Sequence, residues 1–199
     1  MSLEHGRKRR DYFFRPKSVV ILIFLIIAFI TILQDKLPKK ESLKNQGFSG
    51  FERDGIVSVI TVHDGDTVSI KIGGREEKIR LIGIDAPELG QEPWGKKAKR
   101  KLQDIIRRTD KSVRIELDVE ERDKYGRLLA YLWTKDGRLI NEEMVRSGYA
   151  LLYTIPPNVR YVERLRKAQE MAYKNKVGIW SERGLEERPS DYRETHPRR

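Results

Sequence analysis

From Ile56 onward, apolar residues recur at every second position in short runs separated by glycine-containing turns, and that alternation restricts this part of the chain to a strand-built core. The first run is Val57-Ser58-Val59-Ile60-Thr61-Val62, and the second, Thr67 to Ile72, places Val68, Ile70 and Ile72 on one face. Gly73-Gly74 follows. Both residues accept positive φ, so the pair predicts a hairpin turn after which Lys78 to Ile84 returns antiparallel to the preceding strand. A hairpin centred there sets Asp66 opposite Leu81. Ser112 to Glu120 predicts a fourth strand with Val113, Ile115, Leu117 and Val119 alternating, and Leu128 to Thr134 a fifth, entered from the Tyr125-Gly126 turn. Asp136-Gly137 marks a further turn.

Three segments carry helical spacing instead. Trp94 or Gly95 to Arg108 places Ala98, Leu102, Ile105 and Ile106 on one side, with Pro93 near the start. Asn141 is expected to cap a short helix ending at Gly148, and Asn158 to Lys176 a longer one with Val162, Leu165, Ala168, Gln169 and Ala172 along one side. Five strands in meander-like order, with helices inserted after the third and appended after the fifth, suggest an α+β domain: a small closed barrel, with the OB-fold as leading candidate.

A second feature precedes the domain. Ser18 to Leu33 is an uninterrupted apolar run without charge, flanked upstream by Gly6-Arg7-Lys8-Arg9-Arg10 and by Arg15 and Lys17. Its length is slightly short of the ~20 residues that span a bilayer, a deficit that Tyr12, Phe13 and Phe14 at the interface and snorkelling lysines tolerate. Gln34-Asp35-Lys36-Leu37-Pro38 offers no small-x-small cleavage site, which favours an uncleaved transmembrane helix over a secretory signal peptide. Six basic residues before the run against four after it orient the amino terminus to the cytoplasm and the rest outside. The expected organisation is a cytoplasmic basic segment (1–17), a single-pass anchor (18–34), a solvated linker (35–53), a domain (54–182) and a charged tail (183–199) expected to fray.

The formal charge is +11, of which residues 1–17 carry +4 and residues 34–50 carry +2, leaving +5 for the chain from Phe51 on. That excess favours a polyanionic partner at close range without requiring one, since a solvated surface of mixed charge has the same balance. There is no cysteine, which excludes disulfides, thiolate zinc sites and cysteine nucleophiles.

Chemistry-bearing residues gather at the turns and strand ends: Asp64-Gly65-Asp66, then Arg80, then Asp85-Ala86-Pro87-Glu88, then Asp123-Lys124-Tyr125-Gly126-Arg127. Taken singly, each is a turn, a loop or a surface ion-pair partner, and the first lacks the later ligands of an EF-hand. Together they meet the needs of phosphodiester hydrolysis. Asp66 and Asp85 are hard oxygen ligands for a divalent cation, which could be calcium or magnesium on ligand type alone. Glu88 is placed to take a proton from an attacking water. Arg80 and Arg127 offer guanidinium forks that match phosphoryl oxygens, a geometry lysine lacks. Trp133 and Trp180 read as core, and His63 as a bystander.

On these residues the chain resembles the staphylococcal nuclease (thermonuclease) family over roughly Asp54 to Glu182. His63 to Glu88 aligns without a gap, and Asp123-Lys124-Tyr125-Gly126-Arg127, Leu129-Ala130-Tyr131, Val145-Arg146-x-Gly148 and Gly178-Ile179-Trp180-Ser181-Glu182 follow in the family's order. The resemblance implies a five-stranded OB-fold barrel with three helices, and calcium-dependent cleavage of DNA and RNA that leaves 3′-phosphate ends. It implies Asp66 and Asp85 as calcium ligands, Asp64 as supporting carboxylate, Glu88 as general base, and Arg80 and Arg127 as the phosphate-binding pair. Lys124, Tyr125 and Tyr153 match residues lining the nucleotide. Ala86 replaces a threonine whose backbone carbonyl contacts the metal, a contact any residue provides, and Ile155 replaces an aromatic near the base pocket, which weakens the expected stacking. A monomer acting on nucleic acid, with single strands favoured, is the resulting expectation. The second reading is a noncatalytic OB module that binds single strands or protein ligands at the same surface; such a module has no need of all five charged groups.

Overall fold

Strand β1, Asp54–Val62, is the first element of a computed structural model that describes residues 54–197; the expected basic segment, membrane anchor and linker lie outside the described residues. Among the described residues no helix is long and apolar enough to cross a membrane. The remaining strands are β2 (Thr67–Ile72), β3 (Arg75–Leu81), β4 (Ile84–Asp85), β5 (Ser112–Arg122), β6 (Leu128–Trp133) and β7 (Leu151–Leu152). The helices are α1 (Trp94–Arg108), α2 (Ile140–Arg146), α3 (Val162–Lys174), a single 3-10 turn at Gly178–Trp180, and α4 (Pro189–Thr195).

Five strands close into a barrel in the order β1-β2-β3-β6-β5, as the period-two pattern predicts for an α+β domain of the OB type. All neighbours are antiparallel except β3 and β6, which run parallel. The hairpin turns at Gly73 and Gly74, whose φ values of 54° and 82° lie where a Cβ is disfavoured, so the register is fixed there. Thr67 pairs with Arg80, and the Leu81 amide donates to the Asp66 carbonyl at 2.9 Å, which places Asp66 opposite Leu81 as the sequence predicts.

The inward residues of the alternation, among them Val59, Val68, Ile70, Ile79, Leu81, Val113, Ile115, Leu117, Leu128, Ala130 and Leu132, form the barrel core. Alternation fails at Val119, expected inside with Val113 to Leu117 but exposed. The β5–β6 register shifts between Leu117 and Arg122, so this end of β5 leaves the barrel wall. Helix α1 closes the barrel with Trp94, Ala98, Leu102, Ile105 and Ile106. Each large apolar side chain buried there contributes roughly 1.5–3 kcal/mol, and Leu102→Ala, at a fully buried position, is expected to cost ~2–5 kcal/mol.

Asn141 differs from its expected role. It lies inside the first turn of α2 rather than capping it, fully buried, accepting from the Leu132 amide at 3.0 Å and donating to the Ile82 carbonyl at 2.8 Å. A polar side chain in a core must find such partners, and here it ties α2 to strand β6 and to the turn that follows β3. The tail beyond Glu182 is also structured: the Leu185 amide bonds to Ile179 O, the Gln91 amide group donates to Glu187 O, and α4 follows.

Candidate active site

The turn between β1 and β2 carries Asp64-Gly65-Asp66. The Asp64 carboxylate accepts the Asp66 amide at 3.0 Å, which holds the turn shut. Gly65 is required by space rather than by φ: a Cβ there would lie 2.5 Å from Cβ of Ala86 and 2.8 Å from Cβ of Ala98. The absence of that one carbon lets the turn press against both the Ala86 loop and α1. Asp66 is thereby buried, and its Oδ2 accepts the Ala86 amide at 2.7 Å while Thr67 donates to Oδ1 at 3.1 Å.

Asp85 reaches the same place from β4, which pairs with β7 (Asp85 with Leu151) and is held beside the barrel by that two-residue ribbon. Arg80 joins the two carboxylates. Its Nη1 lies 3.1 Å from Asp66 Oδ2 and its Nη2 3.0 Å from Asp85 Oδ1, and Nη1 also donates to the carbonyls of Leu81 and Ile84 at 3.1 and 2.8 Å. The segment from Arg80 to Asp85 therefore wraps around its own guanidinium. Burial pushes the Asp66 carboxyl up to about 7; Arg80 and the Ala86 amide oppose the rise, while Asp64 and Asp85 add to it.

Glu88 stands on the loop after Pro87. Its amide donates to the Gln91 side chain at 2.9 Å, and Gly95 lets α1 start directly behind it, since a Cβ at Gly95 would meet the Glu88 carbonyl. The Glu88 carboxylate and Asp85 share one partner, Arg193 of α4. Arg193 Nη1 donates to Glu88 Oε1 at 2.9 Å and to Asp85 Oδ1 at 3.0 Å, and Nη2 donates to Asp85 Oδ2 at 3.0 Å. Burial alone would lower the Arg193 pKa, but the bonds to Asp85 and Glu88 outweigh it and hold the guanidinium more firmly charged than usual. A cavity of about 440 Å³ opens here, lined by His63, Asp64, Glu88, Leu89, Gly90 and α4. His63 is part of that wall and is bonded to Ser69 Oγ at 2.7 Å.

Asp66, Asp85, Glu88, Arg80 and the Ala86 backbone are thus gathered at one end of the barrel. Arg127 is differently engaged: its Nε donates to Asp123 Oδ2 at 2.7 Å within the 123–127 turn, and its ion pair is with that residue rather than with the carboxylates of the site. It enters from the start of β6, whose Leu128 pairs with Ile79, so it lies beside the strand that carries Arg80. Tyr125 on the same turn is exposed, with Lys124 Nζ 5.1 Å from its ring centre. Tyr153 is also exposed and is tethered by its amide to the Gly83 carbonyl at 3.0 Å, next to β4. Ile155 is exposed on the loop beyond.

Among the described residues no three acidic or histidine side chains converge as a complete metal cage. What the site offers is two buried carboxylates spanned by one guanidinium, plus the backbone of Ala86, a donor set made only of oxygen. That fits a hard divalent cation, which fills its remaining positions with water or substrate oxygens. Sequence reasoning missed Gln91, which links the Glu88 loop to the tail, and Arg193; their partners lie 96 and 105 to 108 residues away, and no local pattern marks them.

Comparison with known proteins agrees with this geometry. Residues 78–182 match the family described as Staphylococcal nuclease homologue. Thermonuclease of Staphylococcus hyicus is 35% identical over 167 residues, covering 80% of this chain and 95% of that protein. Thermonuclease of Staphylococcus intermedius is 34% identical over 167 residues, 81% of this chain and 94% of its own. Endonuclease YncB of Bacillus subtilis (strain 168) is 31% identical over 128 residues, 61% of this chain and 59% of its own. With its barrel, its paired buried aspartates and these relatives, the chain belongs to the staphylococcal nuclease family, a family of hydrolytic nucleases.

Proposed function

We propose that this protein is a calcium-dependent, sequence-nonspecific nuclease that cleaves DNA and RNA to 3′-phosphate ends, acts as a monomer, and is anchored by residues 18–34 with its nuclease domain outside the cytoplasm. The observation that carries the catalytic reading is the Arg80 fork spanning Asp66 and Asp85 while Glu88 is held beside Asp85 through their shared partner Arg193. A binding module has no use for a buried carboxyl such as Asp66, which burial lifts to about 7 with Asp64 and Asp85 adding to the rise. The anchor rests on the apolar run and the basic residues before it. Location and metal agree, since calcium outside the cytoplasm reaches the ~10⁻⁴ to 10⁻³ M that a site with few charges needs.

Asp66, Asp85 and the Ala86 carbonyl would hold the cation, which when bound relieves the repulsion between an anionic phosphate and the incoming water. Glu88 takes the proton of that water as it attacks phosphorus, and the bond from phosphorus to the 5′-oxygen breaks, that oxygen taking up a proton from solvent to leave as the 5′-hydroxyl while the phosphate stays on the 3′-side. Arg127, fixed through its Nε by Asp123, presents its terminal nitrogens to the phosphoryl oxygens where charge accumulates, and Arg80 would turn its Nη2 to them once Asp66 and Asp85 hold a bound cation. Tyr125 and Tyr153, exposed on neighbouring loops, offer faces for base stacking, and Lys124 offers charge to the phosphate backbone.

The test is digestion of single-stranded DNA by the protein in calcium, in magnesium and in chelator. The expected result is cleavage in calcium that chelator abolishes. Full activity in chelator refutes the metal-assisted mechanism, and the noncatalytic reading is supported if DNA is bound but stays intact in every condition.

A further inference from the structure

One wall of the cavity beside Glu88 is supplied by α4 of this chain. Helix α4 lays Tyr192, Arg193 and His196 along the wall formed by His63, Asp64, Glu88, Leu89 and Gly90. Arg193 uses both terminal nitrogens to take both oxygens of Asp85, and one of them also takes Glu88 Oε1, all at 2.9–3.0 Å. Tyr192 seats the helix: its hydroxyl fills the space above Gly90, where a Cβ would lie 2.3 Å from it, and its ring stacks on His196 at 4.1 Å between centres. The segment leading to α4 is fastened independently by Gln91, which donates to Glu187 O at 2.8 Å while accepting the Glu88 amide. One glutamine side chain thus joins the tail to the loop that carries Glu88.

We propose that α4 is a built-in plug of the catalytic site, with the Arg193 guanidinium competing with the divalent cation for Asp85 and with the attacking water for Glu88. The inference rests on the calcium reading above. A cation ligated by Asp85 and a guanidinium holding both of that residue's oxygens are mutually exclusive neighbours, and Glu88 cannot accept a water proton along a lone pair that Arg193 occupies. Release of the helix beyond its buried first residue, Pro189, costs little in buried surface, because Tyr192 and Arg193 are half-buried and Asp191 and Glu194 to His196 are exposed. A seven-residue helix is marginal once undocked, so the freed tail loses its shape and the site opens. The apparent calcium affinity is reduced by the fraction of molecules with α4 docked. Substrate and calcium together favour the open form, so the nuclease is held back where either is scarce.

Calcium binding to the full-length protein, measured by calorimetry without nucleic acid, tests this, alongside hydrogen exchange of residues 188–196 with and without calcium. Arg193→Gln is expected to bind calcium on the order of tenfold more tightly than wild type. Tyr192→Ala, which unseats the helix but keeps the guanidinium, is expected to give a smaller gain in the same direction. In wild type, amides of 188–196 are expected to be protected in chelator and to lose protection as calcium is added. Equal calcium affinity in wild type and both variants, or protection of α4 that survives saturating calcium, overturns the plug while leaving the calcium-dependent nuclease intact. A loss of DNA affinity in Arg193→Gln with unchanged calcium affinity also overturns it and makes Arg193 a substrate ligand. If no protein of the three binds calcium, the metal reading itself fails and takes the competition with it.

Discussion

Replacing Asp66 by asparagine should stabilise the metal-free protein, and by an amount that depends on pH. The asparagine oxygen can stand where Oδ2 accepts the Ala86 amide and faces Arg80, and its amide nitrogen can donate to Thr67 Oγ1, so the packing and every neighbour are retained. What disappears is the charge. Burial holds the Asp66 carboxyl near 7 in the folded protein against 3.8 for the free side chain, so between those values the folded state binds more protons than the unfolded state. Wild-type stability therefore falls as pH rises from about 4 to about 7. At ~1.4 kcal/mol per pH unit the full loss is on the order of 4 kcal/mol. Asparagine suffers none of it. Urea unfolding of both proteins in chelator at pH 4.5 and pH 8 cancels the contributions of all other titrating groups. The expected outcome is near-equal stability at the lower pH and an advantage of a few kcal/mol for Asp66→Asn at the higher. The same difference at both pH values would refute the claim that this carboxylate is buried against its own charge.

Two further outcomes follow from the same geometry. Gly65→Ala forces a methyl into the contact with Ala86 and Ala98, so it is expected to cost ~1–3 kcal/mol in urea unfolding and to reduce cleavage by shifting Asp66 away from Asp85. Arg127→Ala removes the side-chain bond to Asp123 but leaves that carboxylate to hold the turn through the backbone amides of Tyr125 and of position 127, and on the pattern of single transition-state donors it should lower kcat by ~10²- to 10³-fold, measured on single-stranded DNA in saturating calcium. An unchanged kcat would remove Arg127 from the machinery.

Much of the frame was legible because it is set locally. The Gly73-Gly74 turn fixes the hairpin, and the hairpin fixes Asp66 opposite Leu81 and next to the strand of Arg80. The helix from Trp94 to Arg108 follows from its apolar spacing and from Pro93. Features that depend on distant partners were not legible. Asn141 has a capping residue's chemistry, yet its amide is consumed by Leu132 and Ile82, and nothing local distinguishes a cap from a buried cross-link. Val119 continues a strict alternation, but the register shift after Leu117 turns it outward. The two-residue pairing of β4 with β7 is too short to leave a periodic trace, though it is what carries Asp85 to Asp66. The charged tail, expected to fray, instead contains α4, because the value of Arg193 lies in Asp85 and Glu88, far away in the chain. A proline at the first position of α4 and Asp191 in its first turn were the local signals that a helix begins there.

In the proposed mechanism Glu88, beside the paired aspartates, takes the proton of the attacking water. The rate at which wild type and Glu88→Gln cleave a single-stranded oligonucleotide in saturating calcium, with product ends identified, tests it most directly. Glutamine keeps the size of the side chain and can still face Arg193 through its oxygen, but it cannot take a proton at neutral pH. Products ending in 3′-phosphate and a rate reduced by ~10²- to 10⁴-fold in the variant are expected. Rates equal within twofold would contradict that role for Glu88.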